Sequence, residues 1–153
     1  MLGSNYYPDQ RAGALMAVVL IAEDDDDISI ILTRLLQRAG HTVLRAPDGR
    51  AALDLAIEHR PGVLLTDLGM PRMDGLELTR AIRAHSALSD TPIAMLSGHL
   101  HPGDTQPVLA GVCAVLLKPC PNDRLRAVIQ DLADRGPHDH AGAACPVHHP
   151  VVV

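Results

Sequence analysis

The sequence predicts an α/β fold in which a five-stranded parallel sheet carries helices on both faces. Short continuous apolar runs alternate with segments of helical periodicity, as expected for strands buried on both sides and joined by helices. Four of the five runs end on a charged or hydroxyl residue. With 153 residues, 47% of them hydrophobic, the chain can bury the core of one such domain.

The predicted strands are short apolar segments bounded by turn residues or helical patterns. The first, AVVLIA, has no polar position, which is typical of a strand covered on both faces. In chain order the five strands are residues 17–22, 42–46, 62–66, 92–97 and 113–117.

Helices are predicted between these strands by apolar residues that recur on one face. The first helix, which ends at Gly40, has the apolar positions Ile28, Ile31, Leu32, Leu35 and Leu36. The second and third cover residues 48–59 and 76–85, and the last has Leu125, Val128, Ile129 and Leu132 on one face. Pro107 interrupts the segment between strands four and five, so a short or distorted fourth helix is expected near Pro102 or Pro107.

These elements divide the chain into an N-terminal extension (1–16), one domain (17–135) and a flexible C-terminal tail (136–153). No second domain is expected after residue 135, which favours a stand-alone domain. The net charge of −5 without a basic stripe argues against nucleic-acid binding. The first apolar run is too short to span a membrane, and the odd number of cysteines favours a reducing, cytoplasmic location.

The carboxyl ends of parallel strands meet at one edge of the sheet, where such folds bind ligands. Glu23 and Asp24 follow the first strand and Asp67 follows the third, while Ser97 ends the fourth and Lys118 follows the fifth. Carboxylates clustered in this way suit Mg²⁺, which would also remove their mutual repulsion. An aspartate can act as a nucleophile towards phosphorus, so this set is typical of phosphoryl transfer.

Four segments in this order, VLIAEDDDDI, VLLTDLGMPRMDG, PIAMLSGH and LLKP, resemble the receiver domain of bacterial response regulators. The resemblance covers residues 17 to about 134. It implies a flavodoxin-like, doubly wound sheet with strand order 2-1-3-4-5. It also implies Mg²⁺ held directly by Asp24, through water by Glu23, and by Asp67 and the backbone carbonyl of Gly69.

The same resemblance implies a single-domain response regulator of a two-component phosphorelay. Asp67 would accept a phosphoryl group from a phosphohistidine of a sensor histidine kinase or histidine phosphotransfer protein. Lys118 would contact the phosphoryl oxygens, Ser97 would move towards them, and Pro119 would follow a cis peptide. The signal would pass to a downstream target protein, and a homodimer is left open. Apart from its own phosphorylation and dephosphorylation, no enzymatic activity is expected.

Several positions depart from the family pattern. Val115 stands where receivers often have a Tyr or Phe that rotates when the Ser/Thr moves, and Cys120 replaces another frequent aromatic. Gly69 and His99 occupy positions whose side chains tune hydrolysis of the aspartyl phosphate. These departures keep open a receiver-fold binding module that acts without phosphorylation. A Mg²⁺-dependent aspartyl phosphatase is a weaker alternative, because Gly69 replaces the acid that such enzymes carry there.

Other polar features favour structural interpretations. Asp25, Asp26 and Asp27 are predicted to cap the first helix. Cys113 is interpreted as a core residue and the histidines at 99 and 101 as part of a loop. The tail HDHAGAACPVHH contains residue types that bind Zn²⁺ or Ni²⁺, but it lacks CxxC or HxxxH spacing and is interpreted as a linker.

Overall fold

The computed structural model describes residues 16–98, 106–140 and 145. Within them lies one sheet whose strands are all parallel and run in the order β2-β1-β3-β4-β5. The strands are β1 (Val18–Ala22), β2 (Thr42–Ala46), β3 (Val63–Asp67), β4 (Ile93–Ser97) and β5 (Ala114–Leu117). The predicted fold class and strand order are confirmed.

Helices pack on both faces of this sheet because its strands alternate their side chains between two cores. Val19 and Ile21 of β1 face one cluster, which includes Leu36 and Ile129, and Leu20 faces the other. The helices are α1 (Asp26–Arg38), α2 (Gly49–His59), α3 (Gly75–Ala84), α4 (Gln106–Ala110) and α5 (Asn122–Arg135). None of these described helices is long and apolar enough to cross a lipid bilayer.

The acidic run after β1 divides as predicted between the sheet edge and the first helix. Asp25 is the N-cap of α1, and its carboxylate accepts hydrogen bonds from the backbone N–H groups of Asp27 and Ile28. Asp26 and Asp27 lie in the first turn, where negative charge is favourable. Ile31 belongs to the predicted apolar face of α1 but lies at its edge outside the core, where it is 60% exposed.

The short fourth helix is confirmed, with Pro107 in its first turn, where a missing N–H costs little. The N-terminal extension up to residue 15, the histidines at 99 and 101, and most of the predicted tail lie outside the described residues. Residues 136–140 and Cys145 belong to that tail, and His140 and Cys145 are buried against the domain.

Asp48 joins two of the loops at the carboxyl edge of the sheet. It is the N-cap of α2, where it accepts the Ala51 N–H at 2.8 Å. Its other oxygen, Oδ2, accepts two hydrogen bonds from Arg72 in the β3–α3 loop, at 3.0 and 2.7 Å. The Ala51 N–H and then the Arg72 guanidinium lower the pKa of Asp48 from its usual 3.8.

Replacing Asp48 by Ala is therefore expected to lower the free energy of unfolding by about 1–2 kcal/mol, the usual cost of a lost N-cap. A lowered folded-state pKa means that the stabilisation is complete above pH 3.8 and is lost as the pH falls through the folded pKa. Urea unfolding of wild type and Asp48→Ala should thus differ at neutral pH and converge in acid. Asp54→Ala, which removes an exposed acid on α2, is the control and should unfold like wild type. If the difference between wild type and Asp48→Ala did not change with pH, the contacts of the Asp48 carboxylate would not be the cause of the stabilisation.

Candidate functional site

Three carboxylates meet at the carboxyl edge of the sheet because β1 and β3 are neighbours. Glu23 and Asp24 directly follow β1, and Asp67 is the last residue of β3. One oxygen from each lies within 4.8 Å of the others. The structure therefore brings together the three acids that the sequence predicts at this edge.

Glu23 is the buried member of the three, with only 3% of its surface exposed. Burial and then the negative charge of Asp67 raise the pKa of Glu23 from 4.5 to about 7, against the opposing pull of Lys118. The Asp25 N–H donates to Glu23 Oε2 at 3.3 Å. Burial is the larger cause of this shift, and the three neighbouring carboxylates are hard oxygen donors that fit a divalent cation such as Mg²⁺.

Lys118, which directly follows β5, places a positive charge beside these acids. Its Nζ donates to Glu23 Oε1 at 3.2 Å and lies 3.4 Å from Asp67 Oδ1. Partial burial alone would lower the pKa of Lys118, but the charges of Asp67 and Glu23 outweigh it and raise the pKa. The Lys118–Pro119 peptide is cis, as the family resemblance implies.

Ser97 and Gly69, the two remaining residues predicted for the site, lie on segments next to the three acids. Ser97 is the buried last residue of β4, and since Leu96 pairs with Asp67, Ser97 is one position further along the neighbouring strand. Its backbone carbonyl accepts the Lys118 N–H at 2.9 Å. Gly69 is exposed in the β3–α3 loop, and a Cβ built on it meets nothing within 4 Å.

Gly75 is a residue of this site that the sequence analysis did not single out. A Cβ at Gly75 would lie 2.3 Å from the backbone oxygen of Asp67 and 3.0 Å from the Cα of Leu68. The Gly75 N–H also donates to the Leu68 carbonyl at 2.8 Å. The start of α3 thus packs directly on the backbone that positions Asp67, a contact that the Asp-Gly pair in the quoted motif could have suggested but not located.

Val115, where receivers often have an aromatic, is 1% exposed in β5. It pairs in register with Met95 and belongs to the same apolar cluster as Leu78 and Ile82 of α3. A ring that turns between an inner and an outer position has no counterpart at this residue. A change at Asp67 would therefore have to reach the α3–α4 side through backbone or loop movement.

Comparison with known proteins identifies the family. The family model for the response regulator receiver domain matches residues 19–130. The chain belongs to this family. Residues outside the match comprise the N-terminal segment and the end of α5 with the tail.

This receiver domain is similar to other response regulators over most of their length. It is 32% identical to the polar-differentiation response regulator DivK of Brucella anthropi, over 66% of this chain and 83% of that one. The structure of the chemotaxis response regulator CheY4 of Vibrio cholerae matches with a TM-score of 0.73 and 34% identity, over 77% of this chain and 99% of that one.

A second similar structure comes from a sensor histidine kinase of Pseudomonas aeruginosa. Its receiver domain matches with a TM-score of 0.72 and 28% identity, over 78% of this chain and 98% of that one. That structure has a magnesium ion coordinated in its active-site cleft. Together these similarities establish a receiver domain of the two-component signalling family.

Proposed function

We propose that this receiver domain accepts a phosphoryl group on Asp67 from a phosphohistidine, with the help of Mg²⁺, and signals through contacts with a downstream protein. The donor would be a sensor histidine kinase or a histidine phosphotransfer protein. The observation that supports this most directly is the convergence of Asp67 with Glu23, Asp24 and Lys118. The domain would act in the cytoplasm and would turn over no external substrate.

Mg²⁺ fits the carboxylates that the fold brings together. Asp24 and Asp67 would bind it directly, Glu23 would act through water, and the Gly69 carbonyl would complete the protein ligands. When bound, the ion neutralises the negative charge that accumulates as a phosphate dianion approaches carboxylates. The proposal is supported by the geometry of the three acids, since one carboxylate oxygen from each lies within 4.8 Å of the others and hard oxygen donors suit Mg²⁺.

Asp67 would act as the nucleophile through Oδ2. Its other oxygen, Oδ1, accepts the Leu68 N–H at 2.8 Å and lies next to the Lys118 ammonium. Oδ2 would form the bond to phosphorus as the bond between phosphorus and the donor imidazole nitrogen breaks, and the electron pair would remain on that nitrogen. The products are an aspartyl phosphate and a histidine.

Lys118 and Ser97 would then bind the new phosphoryl oxygens. Lys118 bridges Glu23 and Asp67, so its ammonium is already within reach of a group attached to Asp67. Ser97 lies one position beyond Asp67 on the adjacent strand. Movement of its hydroxyl towards the phosphate would carry the change into the loop that follows β4.

Beryllofluoride, which imitates the phosphoryl group on an aspartate, provides the test. With Mg²⁺ present, it is expected to shift the amide NMR signals of Asp24, Asp67, Ser97 and Lys118, and the shifts should spread into α4 and β5. Binding of Mg²⁺ without that spread would indicate a site that binds but does not switch. No response to either ligand would contradict phosphoryl acceptance.

A shallow apolar groove beside the site is suited to contact the phosphohistidine donor. Ile28, Ile31 and Leu32 of α1 form one wall, and Pro119 and Leu125 lie opposite, with Lys118 at the groove. A donor histidine must approach Asp67 at this edge, and its protein would therefore contact the surface next to Lys118. Ile31, which is 60% exposed, offers an apolar contact there that the fold itself does not need.

Replacing Ile31 by Ala is expected to slow phosphotransfer from a protein donor roughly tenfold, a typical effect of losing one important interface side chain. Labelling by acetyl phosphate and the thermal unfolding temperature should stay unchanged, because Ile31 contributes little to the core. Ile57→Ala is the matched control: the same residue type, 42% exposed, on α2. Equal slowing by both variants, or slowing with acetyl phosphate as well, would count against this docking surface.

Val115 favours a second candidate function, a binding module of the same fold that acts without phosphorylation. The valine removes the aromatic part of the usual switch while keeping the core filled. Such a module would bind its partner equally well with and without beryllofluoride. Partner binding that depends on beryllofluoride would exclude it.

A further inference from the structure

A second group of potential metal ligands lies at the end of the sheet opposite the acidic site. Cys113 directly precedes β5, and His138, His140 and Cys145 come from the segment that follows α5. One ligand atom from each of the four residues lies within 4.8 Å of the others. Cys113, His140 and Cys145 are buried, and His138 is partly buried.

Three distances between these atoms lie at or just below the edge lengths of a zinc-centred tetrahedron. Cys113 Sγ lies 3.3 Å from Nε2 of His138 and 3.3 Å from Nε2 of His140. Cys145 Sγ lies 3.1 Å from Nε2 of His138. With zinc–ligand bonds of about 2.0–2.3 Å, the ligand atoms of a tetrahedral zinc centre lie about 3.3–3.8 Å apart.

Hydrogen bonding alone does not account for this convergence. Nδ1 of His138 is 2.9 Å from the Gly136 carbonyl oxygen, so Nδ1 carries the proton and Nε2 presents a lone pair. Two sulfurs approach that single lone pair, from Cys113 and from Cys145, although it can accept only one S–H in good geometry. An ion at the centre would bind the lone pair and both sulfurs at once.

The surroundings provide hydrogen-bond partners for two of the ligands, His138 and Cys113. A metal-binding histidine usually donates its other N–H to a carbonyl or carboxylate, as His138 does to Gly136. Cys113 Sγ accepts the backbone N–H of Ile93 at 3.5 Å and lies 3.7 Å from a guanidinium nitrogen of Arg83. Both donors would stabilise a thiolate.

Binding of an ion at the cluster would not displace Arg83, because most hydrogen bonds of its guanidinium are made to other parts of the fold. One of its nitrogens is 3.2 Å from Nε2 of His140, a contact that metal binding would replace. The guanidinium keeps its hydrogen bonds to the carbonyl oxygens of Ser89, Thr91 and Gly111. Two thiolates would balance the charge of a divalent ion, so the positive charge of Arg83 then faces a neutral centre.

The backbone conformation also brings the ligands of the segment after α5 close to Cys113. Gly136, with φ of 70°, ends α5 and redirects the chain, a conformation that favours glycine. The His138 N–H then donates to the Asp90 carbonyl in the loop between α3 and β4 at 3.1 Å. The segment after α5 is thus attached to the amino end of the sheet independently of any metal.

We propose that Cys113, His138, His140 and Cys145 form a structural zinc site that holds the segment after α5 against the amino ends of β4 and β5. Two thiolates and two imidazoles are a ligand set typical of zinc, and four protein ligands leave no position for substrate. The inference concerns the opposite end of the sheet from Asp67 and does not depend on the proposed phosphoryl transfer.

The test uses the complete chain without an affinity tag, kept reduced, loaded with zinc and desalted. Native mass spectrometry and elemental analysis are expected to find one zinc ion per chain. Cobalt in place of zinc should give the absorption of a tetrahedral thiolate complex, and chelation should lower the unfolding temperature. Absence of stoichiometric zinc under these conditions would overturn the proposal.

Variants in the tail identify the ligands, since replacing the fully buried Cys113 could simply unfold the domain. Cys145→Ser and His138→Gln are each expected to weaken zinc binding by roughly 100-fold or more, beyond the usual effect of changing an outer-shell partner. Cys120→Ser, which changes a cysteine outside the cluster, and a His148→Ala, His149→Ala double variant should keep the ion. Zinc retained by Cys145→Ser and His138→Gln, or lost from either control, would refute the site. Asp67→Asn should bind zinc normally, which separates this result from the proposed function.

Discussion

Replacement of Asp67 by Asn is expected to abolish phosphoryl incorporation from acetyl phosphate while leaving the domain folded. An amide has the shape of the carboxylate but cannot form the acyl phosphate. Intact-mass spectrometry after incubation with acetyl phosphate and Mg²⁺ should show one added phosphoryl group in wild type and none in the variant. Removing a charge beside Glu23 should also lower the raised pKa of Glu23, since the Asp67 charge is its second-largest cause.

Thermal unfolding tests whether Asp67→Asn loses phosphoryl incorporation because it lacks the carboxylate and not because the domain unfolds. The Asp67→Asn domain should be at least as stable as wild type at neutral pH, because one member of a crowded acid cluster is gone. Asp27→Asn is the matched control, an exposed acid in the neighbouring acidic run that does not belong to the cluster. Wild-type labelling of Asp67→Asn would show that the phosphoryl group goes elsewhere.

Replacement of Gly75 by Ala is expected to damage both stability and phosphorylation. The new Cβ would lie 2.3 Å from the Asp67 backbone oxygen, and backbone atoms cannot move aside as the end of a flexible side chain can. Overpacking of this kind costs about 1–3 kcal/mol and forces a backbone shift. Since the displaced backbone carries Asp67, the rate of labelling by acetyl phosphate should fall together with the free energy of unfolding in urea.

Gly69→Ala provides the comparison within the same loop. It adds the same methyl group where nothing lies within 4 Å, so its free energy of unfolding should stay within about 0.5 kcal/mol of wild type. Labelling should remain possible in this variant. A Gly75→Ala domain with wild-type stability and labelling would mean that α3 can move away from Asp67 without consequence.

The sheet and the acidic site were predictable because their signals are local. Each strand is a short apolar run, and the rule that parallel strands share one carboxyl edge is enough to bring Glu23, Asp67 and Lys118 together. Asp25 as a helix cap follows from residue type and position alone. No knowledge of tertiary contacts is needed for any of these.

The features that sequence reasoning missed depend on contacts between distant segments. Ile31 has the spacing of a core residue, but α1 turns it towards the groove beside α5 and not into the sheet. Gly75 matters because of one close approach to the backbone of Asp67. Cys113 and the tail histidines lie far apart along the chain, so no spacing rule connects them before the chain folds.

The arrangement around β5 has a thermodynamic consequence. This edge strand has four residues, with Cys113 immediately before it and Lys118 immediately after it. The two residues are thus only about 17 Å apart along one extended segment. If zinc binding at one end changes the affinity of the other end for beryllofluoride by some factor, beryllofluoride must change the affinity for zinc by the same factor. The ratio of the zinc affinities measured with and without beryllofluoride would therefore give the coupling free energy between the two ends of β5.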